Sequence, residues 1–241
     1  MERVFDIHNH TLWGVDDGSE DVQMSMRMMR IAADSGITDI ILTPHNKPNR
    51  RNIYTSEIDE MIEMLRGMCK ENGININLYP GNEIYYRTDV GERIELGKAT
   101  TMACSHYVLL EYNPTDDWNY IKQGADDMLS MGYYPIIAHV ERYVNVAKNI
   151  ERAQELRNKG CYLQINAGSL MGDVGLSLKS TSKLLMKEGL VSFIASDAHE
   201  DRKRIPKLDK CVRYVEKKYG ADTAEKIFVT NPMCILNDKY I

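Results

Sequence analysis

The sequence has no long hydrophobic run. Its apolar stretches, such as residues 40–42 and 136–138, have at most the length of a short β-strand, whereas a membrane-spanning helix needs about 20 apolar residues. The residues after Met1 turn polar at once, so the apolar core of a secretory signal peptide is also missing. We therefore expect no membrane insertion and a cytoplasmic location.

Cysteine is too sparse and too scattered for a zinc knuckle or a disulfide framework. The five cysteines form no Cys-x-x-Cys pair. A cysteine-dependent phosphatase also needs an arginine at a fixed distance after its nucleophile. At that distance Cys69 is followed by Asn75, Cys104 by Leu110, Cys161 by Ala167, Cys211 by Lys217 and Cys234 by Tyr240. The cysteine mechanism of phosphate ester hydrolysis is therefore excluded.

An excess of basic residues and the common nucleotide or hydrolase motifs are missing too. The net charge is −5 and the pI is about 5.7, which argues against a nucleic-acid-binding surface, because such surfaces carry excess positive charge. The segment from Gly91 to Gly97-Lys98-Ala99 is one residue too long for a P-loop and lacks its final Ser or Thr. The Gly-x-Ser-x-Gly motif of α/β hydrolases is absent.

The chain does contain a regular alternation of short apolar segments and amphipathic segments. The apolar ones are rich in Ile, Val, Leu and Tyr, which is typical of parallel strands buried on both faces. They predict strands at residues 4–8, 38–43, 76–81, 107–111, 134–139, 161–166 and 191–196. Helical periodicity lies between them, at residues 20–35, 56–72, 116–131, 149–159, 177–188 and 206–219. Seven repeats without a linker predict an α/β fold in which residues 1–241 form a single domain, a closed or nearly closed barrel.

Polar residues cluster at the carboxyl ends of the predicted strands. Because these ends meet on one face of a barrel, where barrel enzymes have their active sites, we expect a single site there. His106 differs from the other five histidines, since it precedes its strand at the opposite end, and we interpret it as structural. The strand ends are Asp6-Ile7-His8-Asn9-His10, Thr43-Pro44-His45, Gly81-Asn82-Glu83, Glu111, Ala138-His139-Val140-Glu141-Arg142, Gln164-Ile165-Asn166 and Ser196-Asp197-Ala198-His199.

These residue types predict a cluster of divalent metal ions. Histidines two positions apart on an extended chain, such as His8 and His10, point to the same side and can bind one metal. Imidazole and carboxylate ligands without a thiolate suit Mn²⁺, Fe²⁺ or Zn²⁺. Each motif alone is weak, because a histidine at a strand end is more often a structural residue. The coincidence of so many candidate ligands at one rim favours two or three metals that share a bridging carboxylate.

Taken together, the motifs resemble those of the PHP-class bacterial protein-tyrosine phosphatases of the CpsB type, which regulate capsule and exopolysaccharide synthesis. The resemblance covers nearly the full chain and keeps the order of the motifs. It rests on Asp6-Ile7-His8-Asn9-His10, Val15-Asp16-Asp17-Gly18, Thr43-Pro44-His45, Gly81-Asn82-Glu83-Ile84, Leu109-Leu110-Glu111, Ile137-Ala138-His139-Val140-Glu141-Arg142-Tyr143 and Ala195-Ser196-Asp197-Ala198-His199.

The resemblance implies a distorted (βα)₇ TIM-like barrel of the PHP type, with two to three divalent metals, Mn²⁺ favoured, and hydrolysis of phosphotyrosine on a cognate tyrosine autokinase. Asp17 would be a metal ligand, with Asp16 as the alternative. The arginines that contact phosphate would be Arg142 and Arg204, although Arg202 or Lys203 could replace the latter. Asn166 would make a further polar contact. By position, the metal ligands would be His8, His10, Glu83 and Asp197 for one ion, Glu83, Glu111 and His139 for a second, and Asp17, His45 and His199 for a third.

The predicted reaction is phosphomonoester hydrolysis, with protein phosphotyrosine as the favoured substrate. The metals would lower the pKa of a shared water, and the resulting bridging hydroxide would attack phosphorus in line. A small-molecule PHP phosphatase of the histidinol-phosphate type and a PHP nuclease are the alternatives, and the acidic pI counts against the nuclease. A non-catalytic metal-binding scaffold is a further alternative, against which the full ligand set and Arg142 argue.

Overall fold

A curved sheet of parallel strands forms the centre of the fold, which a computed structural model describes over residues 1–48, 50 and 52–241. Every strand pair is parallel. The hydrogen-bonded orders are β1-β2-β4 and β3-β5-β6-β7-β8-β9. The strands are β1 (Phe5–Asn9), β2 (Asp39–Leu42), β3 (His45–Asn46), β4 (Asn77–Pro80), β5 (Glu83–Tyr85), β6 (Tyr107–Glu111), β7 (Tyr134–Ile137), β8 (Tyr162–Asn166) and β9 (Phe193–Ala195).

The second and third strands along the chain are each divided in two. β2 and β3 are separated by Thr43 and Pro44, and proline has no N–H to donate to a sheet ladder. β4 and β5 are separated at Gly81, where a Cβ atom would lie 3.0 Å from the Cγ2 of Ile41. When these interrupted strands are taken as continuous, the sheet has the seven strand positions that the sequence predicts.

Backbone hydrogen bonds join the first strand to the segment after the last. The N–H of His10 donates to the carbonyl of Ala198 over 2.9 Å, and the N–H of Asp197 donates to the carbonyl of His8 over 2.9 Å. The sheet therefore curls into a distorted barrel.

Helices surround the sheet, and none of those described is long and apolar enough to cross a bilayer. Periodicity predicts the six longest, whereas α3, α5 and α7 span less than two turns and are too short to repeat an apolar stripe. α10 and α11 are joined without a break by a π-helical turn at Lys226–Thr230, and this continuous segment was not predicted. The helices are α1 (Val22–Asp34), α2 (Thr55–Glu71), α3 (Val90–Glu95), α4 (Trp118–Ser130), α5 (Val144–Lys148), α6 (Glu151–Lys159), α7 (Ala167–Met171), α8 (Leu176–Lys187), α9 (Asp209–Tyr219), α10 (Ala221–Glu225) and α11 (Asn231–Leu236).

Two apolar layers hold the fold together. One fills the barrel with alternate strand residues, including Phe5, Tyr107, Ile136 and Phe193, and α11 contributes Ile235 to it. The other packs the helices onto the outer face of the sheet. Apolar side chains occupy the barrel interior. The polar residues at the carboxyl ends of the strands therefore line the mouth of the barrel at that end.

Candidate metal centre

The structure brings the nine predicted ligands together at the carboxyl mouth of the barrel. Three groups of side chains there have nitrogen or oxygen atoms close enough to hold a metal ion between them. His106 lies apart, at the start of β6, where its Nδ1 is 2.6 Å from an oxygen of Asp238. The groups are His8, His10 and Asp197; His45, Glu83 and Glu111; and His10, His45 and His199.

A bulge in β1 turns His8 toward the other histidines. Alternate residues of a regular strand face the same side, and Phe5 and Ile7 already belong to the barrel interior. The register of β1 against β2 shifts between Asp6 and Asn9. Such a bulge changes the direction of the following side chains. His8 therefore reaches the site although its neighbour Ile7 also faces the barrel interior.

Left-handed backbone conformations place two further candidate ligands. His139 has φ 33° and ψ 51°, so β7 ends at Ile137, two residues before the predicted strand end. Asp197 has φ 52°. Such conformations cost non-glycine residues on the order of 1–3 kcal/mol and persist only where other contacts fix them. The N–H of His139 donates to the Oε1 of Gln164 over 2.7 Å, and the N–H of Asp197 donates to the carbonyl of His8.

Glu83 lies at the centre of the cluster. Its Oε2 is 3.3 Å from the Nε2 of His8, 3.4 Å from the Nε2 of His10 and 2.7 Å from the Nδ1 of His45. Its Oε1 is 2.7 Å from the Nε2 of His139. One carboxylate thus contacts four imidazoles from three different strand ends, which is the arrangement that a bridging ligand requires.

Asp17 and Asp16 have different surroundings. The Oδ1 of Asp17 lies 3.2 Å from the Nε2 of His45 and 3.7 Å from the Nε2 of His199. The Oδ2 of Asp16 instead lies 2.7 Å from the Nδ1 of His10 and accepts from the N–H of His45 over 2.9 Å. Asp17 therefore lies among candidate ligands, whereas Asp16 holds the rear nitrogen of one of them, as carboxylates behind metal-bound histidines do.

Gly18 allows the turn that carries both aspartates to pack against β1. A Cβ atom at Gly18 would lie 2.2 Å from the carbonyl oxygen of His10 and 2.6 Å from its Cβ. Any other residue would push the turn away, and with it Asp16 and Asp17.

Three buried atoms of His45, Glu83 and Glu111 have ion-pair contacts but no hydrogen bond of good geometry, which fits a group that can hold a cation. The Nδ1 of His45 and the Oε2 atoms of Glu83 and Glu111 have no partner in hydrogen-bond geometry among the described residues, although such buried atoms are normally paired. No cysteine belongs to the three groups found in the described chain. The donors are imidazole nitrogens and carboxylate oxygens, which fit borderline divalent metals such as Mn²⁺, Fe²⁺ and Zn²⁺.

Opposite charges in the cluster shift one another's pKa values. Burial raises the pKa of Glu83, but His8 and His45 outweigh it and lower that pKa well below its usual range. Burial opposes protonation of His10, but Asp16 and Glu83 raise its pKa to about 10. His45 follows the same pattern, and its pKa rises to about 9. Divalent metals compete with protons for such ligands. The carboxylates that attract protons to these histidines would therefore also attract a metal cation.

Gln164 connects three strand ends through one oriented amide. A backbone N–H can only donate, so the atom 2.7 Å from the nitrogen of His139 is the carbonyl Oε1 of Gln164. The same oxygen lies 3.2 Å from the Nδ1 of His8, so His8 donates from Nδ1, and its Nε2 faces the carboxylates of Glu83 and Asp197. The amide nitrogen of Gln164 then donates to Asn166 over 2.8 Å, and the Nδ2 of Asn166 donates to Asp197 over 2.7 Å.

Both predicted arginines contact Asp197. The Nη2 of Arg142 lies 2.9 Å from the Oδ2 of Asp197, and the Nη2 of Arg204 lies 2.9 Å from the Oδ1. Arg202 instead faces Asp201 and is 88% exposed. Of the three residues in the 202–204 run, only Arg204 therefore contacts the cluster through a described ion pair.

Sequence reasoning missed Gln164 and Lys47 as functional positions. The Nζ of Lys47 lies 2.9 Å from the Oε2 of Glu111 and 3.2 Å from the Nε2 of His45. Lys47 follows the candidate ligand His45 by two residues, and this spacing could have indicated that Lys47 lies near the site. The Gln164-Ile165-Asn166 strand end was recognised as polar, but a sequence does not reveal which amide supports which histidine.

Comparison with known proteins gives consistent results. The sequence profile of the family described as "Capsular polysaccharide synthesis, CpsB/CapC" matches residues 4–237. The protein named tyrosine-protein phosphatase CpsB of Streptococcus pneumoniae is 31% identical over 99% of this chain and 100% of its own length. Tyrosine-protein phosphatase YwqE of Bacillus subtilis is 32% identical over 91% of this chain and 86% of its own length.

Solved structures confirm the predicted fold class. A chain from the crystal structures of YwqE and CpsB, described as unique metal-dependent tyrosine phosphatases, matches with a TM-score of 0.92 and 31% identity, over 98% of this chain and 96% of that chain. Histidinol phosphate phosphatase from Lactococcus lactis matches with a TM-score of 0.59 and 15% identity, over 92% and 94% of the two chains, and shares the fold. The profile match and the full-length relatives confirm the predicted resemblance, and the chain belongs to the CpsB/CapC family of capsular polysaccharide synthesis.

Proposed function

We propose that this protein is a metal-dependent phosphatase that hydrolyses phosphotyrosine in a protein, and that its substrate is a bacterial tyrosine autokinase of polysaccharide synthesis. The names of its full-length relatives support the activity class. The observation that carries the proposal is the position of Glu83, which lies within 3.4 Å of nitrogens from His8, His10 and His45. The two arginines beside this cluster supply the positive charge that a phosphoryl group needs.

The proposed centre holds two to three divalent ions, with Mn²⁺ favoured. In this proposal Glu83 would be shared between ions, and residues 1–241 form a single phosphoesterase domain, because the ligands of one cluster are drawn from residues 8–199 of the chain. His8, His10, Glu83 and Asp197 would hold one ion, Glu83, Glu111 and His139 a second, and Asp17, His45 and His199 a third.

The residues of the chain then have distinct tasks. Bound divalent ions would supply Lewis acidity, which lowers the pKa of water and stabilises charge on phosphoryl oxygens. Arg142 and Arg204 hold the remaining phosphoryl oxygens through their guanidinium N–H groups as charge redistributes in the transition state. Asp197 orients both guanidinium groups, and Asn166 orients Asp197.

Rates on three substrates test the proposal. We expect the Mn²⁺-loaded protein to hydrolyse a phosphotyrosine peptide much faster than histidinol phosphate, because its relatives are named tyrosine phosphatases. We also expect it to hydrolyse the peptide much faster than single-stranded DNA, because the chain is acidic. Chelation should abolish turnover and Mn²⁺ should restore it. Preference for histidinol phosphate would make the small-molecule alternative correct.

Thiol alkylation should leave the rate unchanged. Cys104 is exposed and will react, whereas Cys69, Cys161 and Cys211 are buried, and no cysteine joins the ligand groups of the described residues. The measurement is kcat before and after iodoacetamide, with mass spectrometry to identify the modified residue. Inactivation that tracks alkylation of a single cysteine, with metals still bound, would contradict the mechanism.

Gln164→Met should weaken metal binding by about 10- to 100-fold, the usual effect of removing a group that orients a ligand. Methionine has a similar shape but removes the amide that accepts from His8 and from the backbone of His139. Competition with a metal-sensitive dye measures the affinity, and the exposed Gln154→Met is the matched control. Equal affinity in the two variants would show that Gln164 only fills space.

A further inference from the structure

A cavity of about 570 Å³ adjoins the candidate centre. Arg142, Asp197 and Arg204 line it, and all three also belong to the cluster described above. The cavity extends from them between α7 and the start of α9. A phosphoryl group held by the arginines would therefore place the rest of its substrate in or along this cavity.

One wall of the cavity carries positive charge that is not neutralised. Lys203, Lys207 and Lys210 line it, all three are exposed, and the ion pairs found in the described chain include none of them. The lining carboxylate Asp209 is 2.6 Å from Arg213 and is therefore paired. Asp173 is the remaining lining carboxylate besides Asp197. This basic wall stands out on a chain whose net charge is −5.

The lining also includes apolar side chains, here called the apolar wall. Met171, Val174 and Ile205 line the cavity, and Val174 keeps 50% of its surface exposed. Just beyond it, Leu176 is 81% exposed. Exposed aliphatic side chains beside unpaired ammonium groups fit a polypeptide with an apolar or aromatic residue and an anionic one, whereas a small phosphate monoester would leave them unused.

We propose, building on the function proposed above, that this cavity is a second subsite, which binds the polypeptide segment flanking the phosphotyrosine and prefers segments with an anionic side chain. The anionic group pairs with Lys203, Lys207 and Lys210, while the apolar wall covers a neighbouring side chain. A carboxylate of Asp or Glu and a second phosphorylated residue offer the same charge chemistry.

Peptide kinetics test the subsite. Phosphotyrosine peptides are compared that carry Ala, Glu, Lys or a second phosphotyrosine at the positions before and after the target residue. We expect kcat/KM to be on the order of 10-fold higher for the anionic peptides than for the Lys peptides, from several exposed charge pairs of ordinary strength. The preference should shrink at high ionic strength, because exposed charges are screened. The Glu and second-phosphotyrosine peptides separate the two sources of negative charge.

Charge reversal locates the effect. The triple variant Lys203→Glu, Lys207→Glu and Lys210→Glu should lose or invert the anionic preference. The matched control Lys70→Glu, Lys217→Glu and Lys226→Glu makes the same charge change at exposed positions away from the cavity and should keep it. The measured quantity is the ratio of kcat/KM between anionic and Lys peptides. A change in the hydrolysis step that affects all peptides equally therefore cancels from it.

Two failures are distinguishable. If the Mn²⁺-loaded wild-type protein does not hydrolyse the Ala-flanked phosphotyrosine peptide at all, the proposed function is wrong. If it hydrolyses every peptide within twofold of the same kcat/KM, or if both triple variants change the ratio equally, the subsite is wrong and the proposed function stands.

Discussion

Glu83→Gln should lose most of its bound metal and nearly all of its activity. Glutamine preserves the size of the side chain but removes the negative charge that lies close to His8, His10, His45 and His139. The metals of such a site contribute several kcal/mol of transition-state stabilisation, so kcat should fall on the order of 10³-fold. Loss of a single charge acts on more than one ion because Glu83 is the proposed bridge.

Elemental analysis of the purified variant, beside steady-state kinetics on a phosphotyrosine peptide, measures both effects. Glu60→Gln, at an exposed position of α2, is the matched control for the charge change. His106→Ala tests the histidine at the opposite end of the barrel, and we expect it to keep both metal and rate. A Glu83→Gln protein with a full metal complement and wild-type kcat would remove Glu83 from the centre.

Arg142→Ala should keep its metals and lose about 10²-fold in kcat, the usual cost of removing one donor that stabilises developing charge. The guanidinium of Arg142 lies 2.9 Å from Asp197, with 29% of the side chain exposed toward the cavity. It can therefore reach a phosphoryl group without leaving its anchor. Arg142→Lys should recover only part of the rate, because an ammonium group cannot pair two oxygens in one plane.

The kinetics also separate two tasks for Arg142. If it acts mainly in the transition state, kcat falls and KM changes little, whereas a contact made only with bound substrate would raise KM alone. Arg202→Ala is the control, because Arg202 carries the same charge close by but faces Asp201. Wild-type kinetics in Arg142→Ala would show that the guanidinium does not contact the substrate.

The sequence predicted the barrel because its strands are buried on both faces. Such strands appear as short apolar runs, and all seven predicted runs correspond to strand positions of the structure. The sequence did not predict the short helices such as α7, because so few residues cannot repeat an apolar pattern. It also missed the continuous segment from α10 to α11, whose period changes at the π-helical turn Lys226–Thr230. It also extended β7 to His139, since no residue pattern announces a left-handed non-glycine backbone.

Which residues gather at the mouth was predictable, and how they support one another was not. Five of the six histidines, together with several carboxylates, fall at the carboxyl ends of predicted strands, and this coincidence indicated one site. The separate surroundings of Asp16 and Asp17, the orientation of the Gln164 amide and the position of Lys47 beside Glu111 depend on angles and distances between strands far apart in sequence. Those relations exist only after the barrel has formed.

The hydrogen bonds between β1 and the segment after β9 place the centre where the first and last strands meet. In the proposed enzyme, His8 and Asp197 would hold one ion together where these strands meet, and that metal link would join two residues separated by most of the chain. During synthesis this metal link could not form until Asp197 has left the ribosome. Until then the earlier strands could form only an open sheet. An ion present at about 1,000 times its dissociation constant adds about 4 kcal/mol to folding. Metal supply would then influence the fraction of chains that have a closed barrel. It would also influence the catalytic rate of those closed chains.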